Sequence, residues 1–144
     1  MATIIAVANE KGGVAKTTTT LSLGAALAEA GQNILVVDLD AQANLSLALG
    51  VDPETVKQSV ANLLLDSISL RSICRPTSIE RLSLVAANSE MGLAERFLPM
   101  RKGYELTIRD LLHRDSGAFD YILLDCPPFL GALTLGALAA CDLL

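Results

Sequence analysis

The fold of this chain is decided by the stretch Glu10-Lys11-Gly12-Gly13-Val14-Ala15-Lys16-Thr17-Thr18. A short apolar, β-branched run at residues 3–8 precedes it, and residues 19–30, rich in Leu and Ala at helical spacing, follow it. Gly12 and Gly13 have no Cβ, so the backbone there can turn tightly and approach an anion. Successive N–H groups and the start of the helix then favour negative charge. We therefore predict a phosphate-binding loop between a strand and a helix.

Two side chains at the end of this loop carry the predicted chemistry. Lys16 is expected to be an exposed loop lysine that reaches the β- and γ-phosphates, and the Thr17 hydroxyl is expected to bind Mg²⁺. The alternative is a plain glycine turn with no ligand. The general pattern G-x-x-x-x-G-K-[ST] is matched imperfectly, because Glu10 and Ala15 occupy its two glycine positions. The methyl group of Ala15 is expected to weaken nucleotide binding at most.

Composition limits the classes of protein to which the chain can belong. It has 144 residues, about one domain, and 51% of them are apolar, which is ample for a core. The net charge of −5 argues against this piece being a nucleic-acid surface by itself. Cys74, Cys126 and Cys141 fit neither a disulfide framework nor a C-x-x-C metal spacing, which favours a reduced, cytosolic setting. Neither a secretory signal nor a membrane span is expected.

Strands and helices are predicted to alternate along the chain. Strands are predicted at residues 3–8, 33–38, 82–87 and 120–125, and residues 141–144 are expected to open a fifth. Helices are predicted at residues 16–30, 44–49, 59–65, 90–97, 104–113 and 130–140, with a loop forced by Pro76 within residues 66–81. The alternation predicts an α/β fold, a parallel sheet with helices on both faces. We expect one Rossmann-like P-loop NTPase domain over residues 1–144, C-terminally incomplete because the sequence stops as the fifth strand opens.

Carboxylates follow two of the predicted buried strands. Asp125 ends the apolar run Ile122-Leu123-Leu124, the pattern of a Walker B strand, and is predicted to hold Mg²⁺. Asp38 and Asp40 come at the end of the second strand, where ligands bind in open α/β sheets. Asp40 is predicted to orient the attacking water and to contribute to the metal site. The alternative for the Asp38/Asp40 pair is a solvated turn that caps the short helix beginning at Asn44.

In combination, these motifs resemble those of the ParA/MinD family of ATPases, and of the ParA/Soj-type chromosome and plasmid partition proteins in particular. Residues 11–18 resemble the deviant Walker A loop K-G-G-V-G-K-T-T, in which the first lysine is the signature residue. The segment from Asp38 to Ser46 resembles the switch D-x-D-P-Q-x-N-x-S, with Ala41 in place of the proline. The segment from Tyr121 to Gly131 is similar to the Walker B segment of the family and its P-P continuation.

The resemblance implies an ATPase that binds ATP and Mg²⁺. It implies catalytic roles for Lys11, Lys16 and Asp40, and metal binding by Thr17, Asp40 and Asp125. The residues implied to bind the nucleotide form one continuous stretch: Lys11, Gly12, Gly13, Val14, Ala15, Lys16, Thr17 and Thr18.

The resemblance also implies partners. Members of this family dimerise face to face on ATP, and Lys11 of each subunit would then reach the phosphates of the other. The ATP-bound homodimer binds DNA non-specifically, here through the missing C-terminal part, and a ParB/Spo0J-type protein stimulates hydrolysis. That cycle segregates chromosome or plasmid DNA. The implied location is cytoplasmic and nucleoid-associated, without membrane contact.

Two other functions stay open at this point. One is a MinD-like or other cargo-positioning ATPase, which residues further along the gene would distinguish. The other is a truncated, non-catalytic nucleotide-binding module, which an ATP-binding assay on this chain would distinguish.

Overall fold

The computed structural model describes residues 2–9, 15–66, 68–115 and 117–144. The described strands are Thr3–Val7 (β1), Ile34–Asp38 (β2), Arg75–Pro76 (β3), Leu82–Val85 (β4) and Tyr121–Asp125 (β5). They form one sheet in the order β1-β5-β2-β4-β3. All neighbouring pairs are parallel except β3 and β4, which are antiparallel. The predicted α/β fold with a parallel sheet is confirmed, with the addition of one short antiparallel strand at its edge.

Helices connect the strands throughout the described part of the chain. The α-helices are Ala15–Glu29 (α1), Asn44–Ala48 (α2), Val60–Asp66 (α3), Leu70–Ile73 (α4), Met91–Phe97 (α5), Thr107–Asp115 (α6) and Ala132–Ala140 (α7). Short 3-10 helices cover Pro53–Thr55, Leu98–Met100 and Tyr104–Leu106. None of the helices in these described ranges is long and apolar enough to cross a bilayer.

The sheet is covered on both faces, as predicted. All five residues of β2 are buried, which is expected of a parallel strand with helices above and below it. One core cluster contains Val36 and Leu123 of the sheet together with Leu45 of α2 and Ala28 of α1. The other cluster contains alternate residues of the same strands together with buried side chains of α3, α5, α6 and α7. Because successive strand residues point to opposite faces, the continuous apolar runs supply both cores.

The stretch from residue 66 to residue 81 differs from its prediction. It contains the short helix α4, capped by the Ser69 hydroxyl, which accepts the Arg71 N–H at 3.2 Å. The loop expected at Pro76 is wrong, because Pro76 belongs to β3 and pairs with Ser83. A proline is tolerated there because β3 is an edge strand, which needs ladder hydrogen bonds on one side only.

The last residues of the chain lie beside β1. Leu143 forms an isolated parallel bridge with Ile5, and the Ala6 N–H donates to the Leu143 carbonyl at 3.0 Å. The Asp142 N–H donates to the Ile4 carbonyl at 2.7 Å. The predicted opening of a further strand is thus a single bridge on the free edge of β1.

Close packing of α1 on the sheet gives a first testable prediction. A Cβ at Gly24 would lie 2.9 Å from Leu82 Cδ1 and 3.3 Å from Leu123 Cδ1. Gly24→Val should therefore lower the free energy of unfolding by about 1–3 kcal/mol through overpacking, measured by urea denaturation.

Gly92→Val in α5 is the matched control for this substitution. A Cβ at Gly92 has nothing within 4 Å, so the change should stay within about 0.5 kcal/mol. Equal losses for both variants would contradict the close approach of α1 to the sheet.

Candidate functional site

The carboxyl ends of three neighbouring strands bring the predicted motifs to one edge of the sheet. Because β5 lies between β1 and β2, Asp125 is the register partner of Val7 on one side and of Asp38 on the other. β1 ends at Val7, at the same edge of the sheet as both carboxylates, and the glycine-containing stretch comes after β1 in the sequence. This edge is the usual ligand-binding edge of a parallel sheet.

Part of the predicted nucleotide loop lies outside the described residues: Glu10, Lys11, Gly12, Gly13 and Val14. The roles assigned to Lys11 and the glycines therefore stay predictions. From Ala15 onward the loop is already helix α1, on which Thr18 is exposed. The expectation that Lys16 is an exposed loop lysine is wrong, because it is the second residue of α1 and only 7% exposed.

A hydrogen bond joins the start of α1 to the end of β5. Thr17 Oγ1 donates to Asp125 Oδ2 at 2.9 Å. Burial raises the pKa of Asp125, and the ammonium charge of Lys16 acts on the same carboxyl in the opposite direction. The structure therefore brings together three of the predicted site residues.

Thr20 is a site residue that the sequence reasoning missed. Its fully buried hydroxyl donates to the Lys16 carbonyl at 2.9 Å and lies 3.5 Å from Asp125 Oδ1. Residues three apart on a helix share a face, so its spacing from Thr17 is a signal that could have identified it.

Asp38 organises the segment that follows β2. Its fully buried carboxylate accepts the Asp40 N–H at 3.1 Å. It also accepts the Ser46 N–H at 3.0 Å and the Ser46 hydroxyl at 2.7 Å. Asp38 thus caps the first turn of α2 from the protein interior, and not from a solvated turn. Ser46 lies within the predicted switch, but nothing in the sequence assigned it this contact.

Asp40 is held in a tight turn on the same segment. Its Oδ1 accepts the Gln42 N–H at 3.0 Å, and its carbonyl accepts the Ala43 N–H at 2.9 Å. Ala43 has left-handed backbone angles, φ 56° and ψ 33°, which cost a non-glycine residue about 1–2 kcal/mol. The Leu39 N–H donates to the Asp125 carbonyl at 3.0 Å, so the turn begins against the end of β5.

Burial raises the pKa of both interior carboxyls. It raises the pKa of Asp38 to about 7, against the opposing hydrogen bonds from Ser46 and the Asp40 N–H. It raises the pKa of Asp125 to about 6, and the negative charge of Asp40 acts in the same direction. A divalent cation would relieve this concentration of negative charge.

The donor set at this edge fits the predicted metal. Thr17, Asp40 and Asp125 present hydroxyl and carboxylate oxygens, the hard ligands that Mg²⁺ prefers. A groove of about 350 Å³ opens beside Asp40, between the turn after β2, helix α5 and the segment after β5. The groove gives the site an accessible side next to the predicted catalytic carboxylate.

Comparisons with known proteins agree with this geometry. The AAA domain family matches residues 2–144. The chain belongs to this family. It is 40% identical over 142 residues to the sporulation initiation inhibitor protein Soj of Bacillus subtilis (strain 168), covering 99% of this chain and 56% of Soj. It is 40% identical over 139 residues to the chromosome partitioning protein ParA of Myxococcus xanthus (strain DK1622), covering 96% of this chain and 49% of that protein. The resemblance to ParA/Soj-type ATPases is confirmed.

A solved structure with the same fold was determined with nucleotide. It is cobyrinic acid a,c-diamide synthase from Mycobacterium smegmatis with bound ADP and magnesium, with a TM-score of 0.94 and 44% identity. The alignment covers 98% of this chain and 57% of the synthase. The same synthase is also known with an ATP analogue and magnesium. Nucleotide and Mg²⁺ are the cofactors predicted for this chain, which spans about half the length of the relatives it matches.

The two raised carboxyl pKa values predict how stability depends on pH without metal or nucleotide. Between about pH 4 and pH 7 the folded chain binds more protons at Asp38 and Asp125 than the unfolded chain does. The free energy of unfolding should therefore fall as pH rises through this window. Urea denaturation in EDTA at several pH values measures this slope.

Substitutions test whether these two carboxyls cause the dependence of the free energy of unfolding on pH. Asp38→Asn and Asp125→Asn should each flatten it, whereas Asp110→Asn removes an exposed carboxylate from α6 and should leave it unchanged. A stability that rises with pH across the window in the unsubstituted chain would contradict the assignment.

Proposed function

We propose that this chain is the nucleotide-binding part of a ParA-type partition ATPase, which binds and hydrolyses ATP with Mg²⁺. The observation that carries the proposal is the hydrogen bond from Thr17 to Asp125. It joins a residue of the predicted phosphate loop to the predicted Walker B carboxylate, across 108 residues of sequence. Two side chains that share one Mg²⁺ must meet in this way.

The residues of the site take separate roles in this proposal. The loop N–H groups and the Lys16 ammonium hold the β- and γ-phosphates. Thr17, Asp40 and Asp125 hold Mg²⁺, which when bound would neutralise charge on the transferred phosphoryl group. Asp40 orients the attacking water, and its half-buried place beside the groove leaves room for that water. We also propose that residues 1–144 form one P-loop ATPase domain.

Partners belong to the proposal as well. An ATP-dependent homodimer would bring Lys11 of one subunit to the phosphates of the other. DNA binding would require segments outside this chain, because a net charge of −5 offers little attraction to phosphates. A ParB-type protein would stimulate hydrolysis, and the cycle would act on chromosome or plasmid DNA in the cytoplasm, at the nucleoid.

A second candidate activity is the one in the name of the synthase that shares this fold, cobyrinic acid a,c-diamide synthesis. The partition function is favoured because the switch segment from Asp38 to Ser46 matches five of the six specified positions of the pattern D-x-D-P-Q-x-N-x-S, with Ala41 in place of the proline. Soj and ParA also match nearly the whole chain. Both activities would begin with the same nucleotide site.

Removal of the Lys16 charge tests nucleotide binding. Lys16→Ala should weaken Mg·ATP binding by at least about 100-fold, or about 2.7 kcal/mol, in isothermal titration calorimetry. Because Lys16 is buried in α1, the melting temperature of each variant must be measured beside the affinity.

Lys57→Ala is the matched control, since it removes an exposed lysine outside the site and should leave the affinity unchanged. An unaltered ATP affinity in a folded Lys16→Ala variant would overturn the phosphate-loop assignment.

Removal of the Asp40 carboxylate separates hydrolysis from binding. In the complete protein, Asp40→Ala should bind Mg·ATP within about threefold of the unsubstituted affinity, because Thr17 and Asp125 still hold Mg²⁺. It should lose at least about 100-fold in turnover, because the attacking water is no longer positioned. Phosphate release under single-turnover conditions measures this, with Asp110→Ala as the control. Normal turnover by the Asp40 variant would show that another group positions the water.

A further inference from the structure

The two loops that flank the site are both attached to one segment that carries no predicted motif. The first loop follows β2 and includes Asp40. The second follows β5 and spans residues 126–131. The attaching segment, here called the brace, comprises β4, the turn after it and α5, residues 82–97.

The first attachment runs through Ser46. Its hydroxyl donates to the buried Asp38 carboxylate at 2.7 Å and accepts the Ala87 N–H at 3.1 Å. Because Asp38 also accepts the Asp40 N–H, one serine links the catalytic turn to the exit of β4. Ser46 itself is fully buried, so water cannot replace either partner.

The second attachment runs through Glu95. Its carboxylate accepts the N–H groups of Ala132 and Leu133, the first two residues of α7, which directly follow the loop after β5. A Cβ at Gly131 would collide with this carboxylate and would lie 2.7 Å from the Phe129 ring. Glycine at this position therefore lets Glu95 approach the loop closely.

The brace is itself fixed in the core. Met91, Ala94 and the following Leu98 are each at most 1% exposed. Asn88 holds the turn before α5, since its Nδ2 donates to the Val56 carbonyl at 2.9 Å and its Oδ1 accepts the Glu90 N–H at 3.0 Å. Movement of one attachment must therefore shift packed side chains and reach the other attachment.

We propose that the brace couples the two loops of the site, with Ser46 and Glu95 as positioning residues that act through Asp38 and through the N-terminus of α7. Neither residue is among those predicted to bind nucleotide or metal. The positioning role rests on the proposed ATPase function, whereas the coupling between loops is a property of the fold alone.

Hydrogen exchange of the nucleotide-free chain, followed by mass spectrometry, tests the coupling. Ser46→Ala should speed exchange at residues 129–135, which it does not contact, by at least about threefold. Glu95→Gln should do the same at residues 39–46. Ser46→Thr keeps the hydroxyl and should restore slow exchange, and if Ser46→Ala does not fold, Glu95→Gln decides alone.

Two controls separate coupling from general loss of stability. Ser59 is also fully buried, and its Oγ accepts the Ala61 N–H at 3.1 Å to cap α3. Ser59→Ala should not speed exchange selectively in either loop. Glu90→Gln removes a carboxylate at the start of the same α5 and should also have no selective effect. The coupling is overturned if each variant affects only the loop that it contacts, or if Ser59→Ala gives the same pattern.

The positioning role has its own measurement. Mg·ATP affinity is determined by calorimetry for Ser46→Ala, Glu95→Gln and the double variant. The combined loss should differ from the product of the single losses by at least about threefold, because the two residues act on one unit. Strictly multiplicative losses overturn the positioning role. Failure of the unsubstituted chain to bind ATP overturns the proposed function instead, and leaves the exchange result to decide the coupling.

Discussion

The hydrogen bond between Thr17 and Asp125 joins the first strand–helix unit of the chain to the strand at the centre of the site. Asp125 is 2% exposed, so its carboxylate needs partners from the protein or from a bound cation. Its neighbour in register, Asp38, has the same need and meets it through Ser46. Helices α1 and α2 are therefore positioned by polar contacts at their first turns as well as by apolar packing.

The buried carboxyls at the site make an unfavourable electrostatic contribution to the stability of the folded chain. Two buried carboxyls with raised pKa values weaken the folded state without ligand at pH values where they are ionised, and a left-handed alanine at position 43 weakens it as well. Aliphatic packing on both faces of the sheet offsets that cost, since only 3% of the residues are aromatic. A cation that neutralises Asp125 and Asp40 would add to stability by binding the folded state alone.

Much of the fold follows from the sequence, and the exceptions have physical causes. Continuous apolar runs ending in Asp38 and Asp125 predict buried parallel strands, because such runs suit a strand covered on both faces. Pro76 misled the prediction, because whether a strand lies at an edge depends on the order of strands in space. The burial of Lys16 was missed although the predicted helix included it, because the burial of a residue in the first turn depends on tertiary packing and not on helical spacing.

Some residues of the candidate site could be predicted from the sequence, and others could not. Thr17, Asp40 and Asp125 belong to motifs with recognisable spacing, so their residue types were sufficient to select them. Glu95 has no such signal, since its contact with α7 exists only through the packing of α5 between distant parts of the chain.

The strand order also determines when the site can form during synthesis. β1 and β2 are the first strands made, yet neither pairs with the other, and the space between them belongs to β5. More than eighty residues separate the end of β2 at Asp38 from the start of β5 at Tyr121, so closing the sheet requires long-range pairing, which is slow. Until β5 emerges from the ribosome, β1 and β2 have unsatisfied edges of the kind that chaperones shield. The candidate site is therefore assembled late, when β5 inserts between β1 and β2.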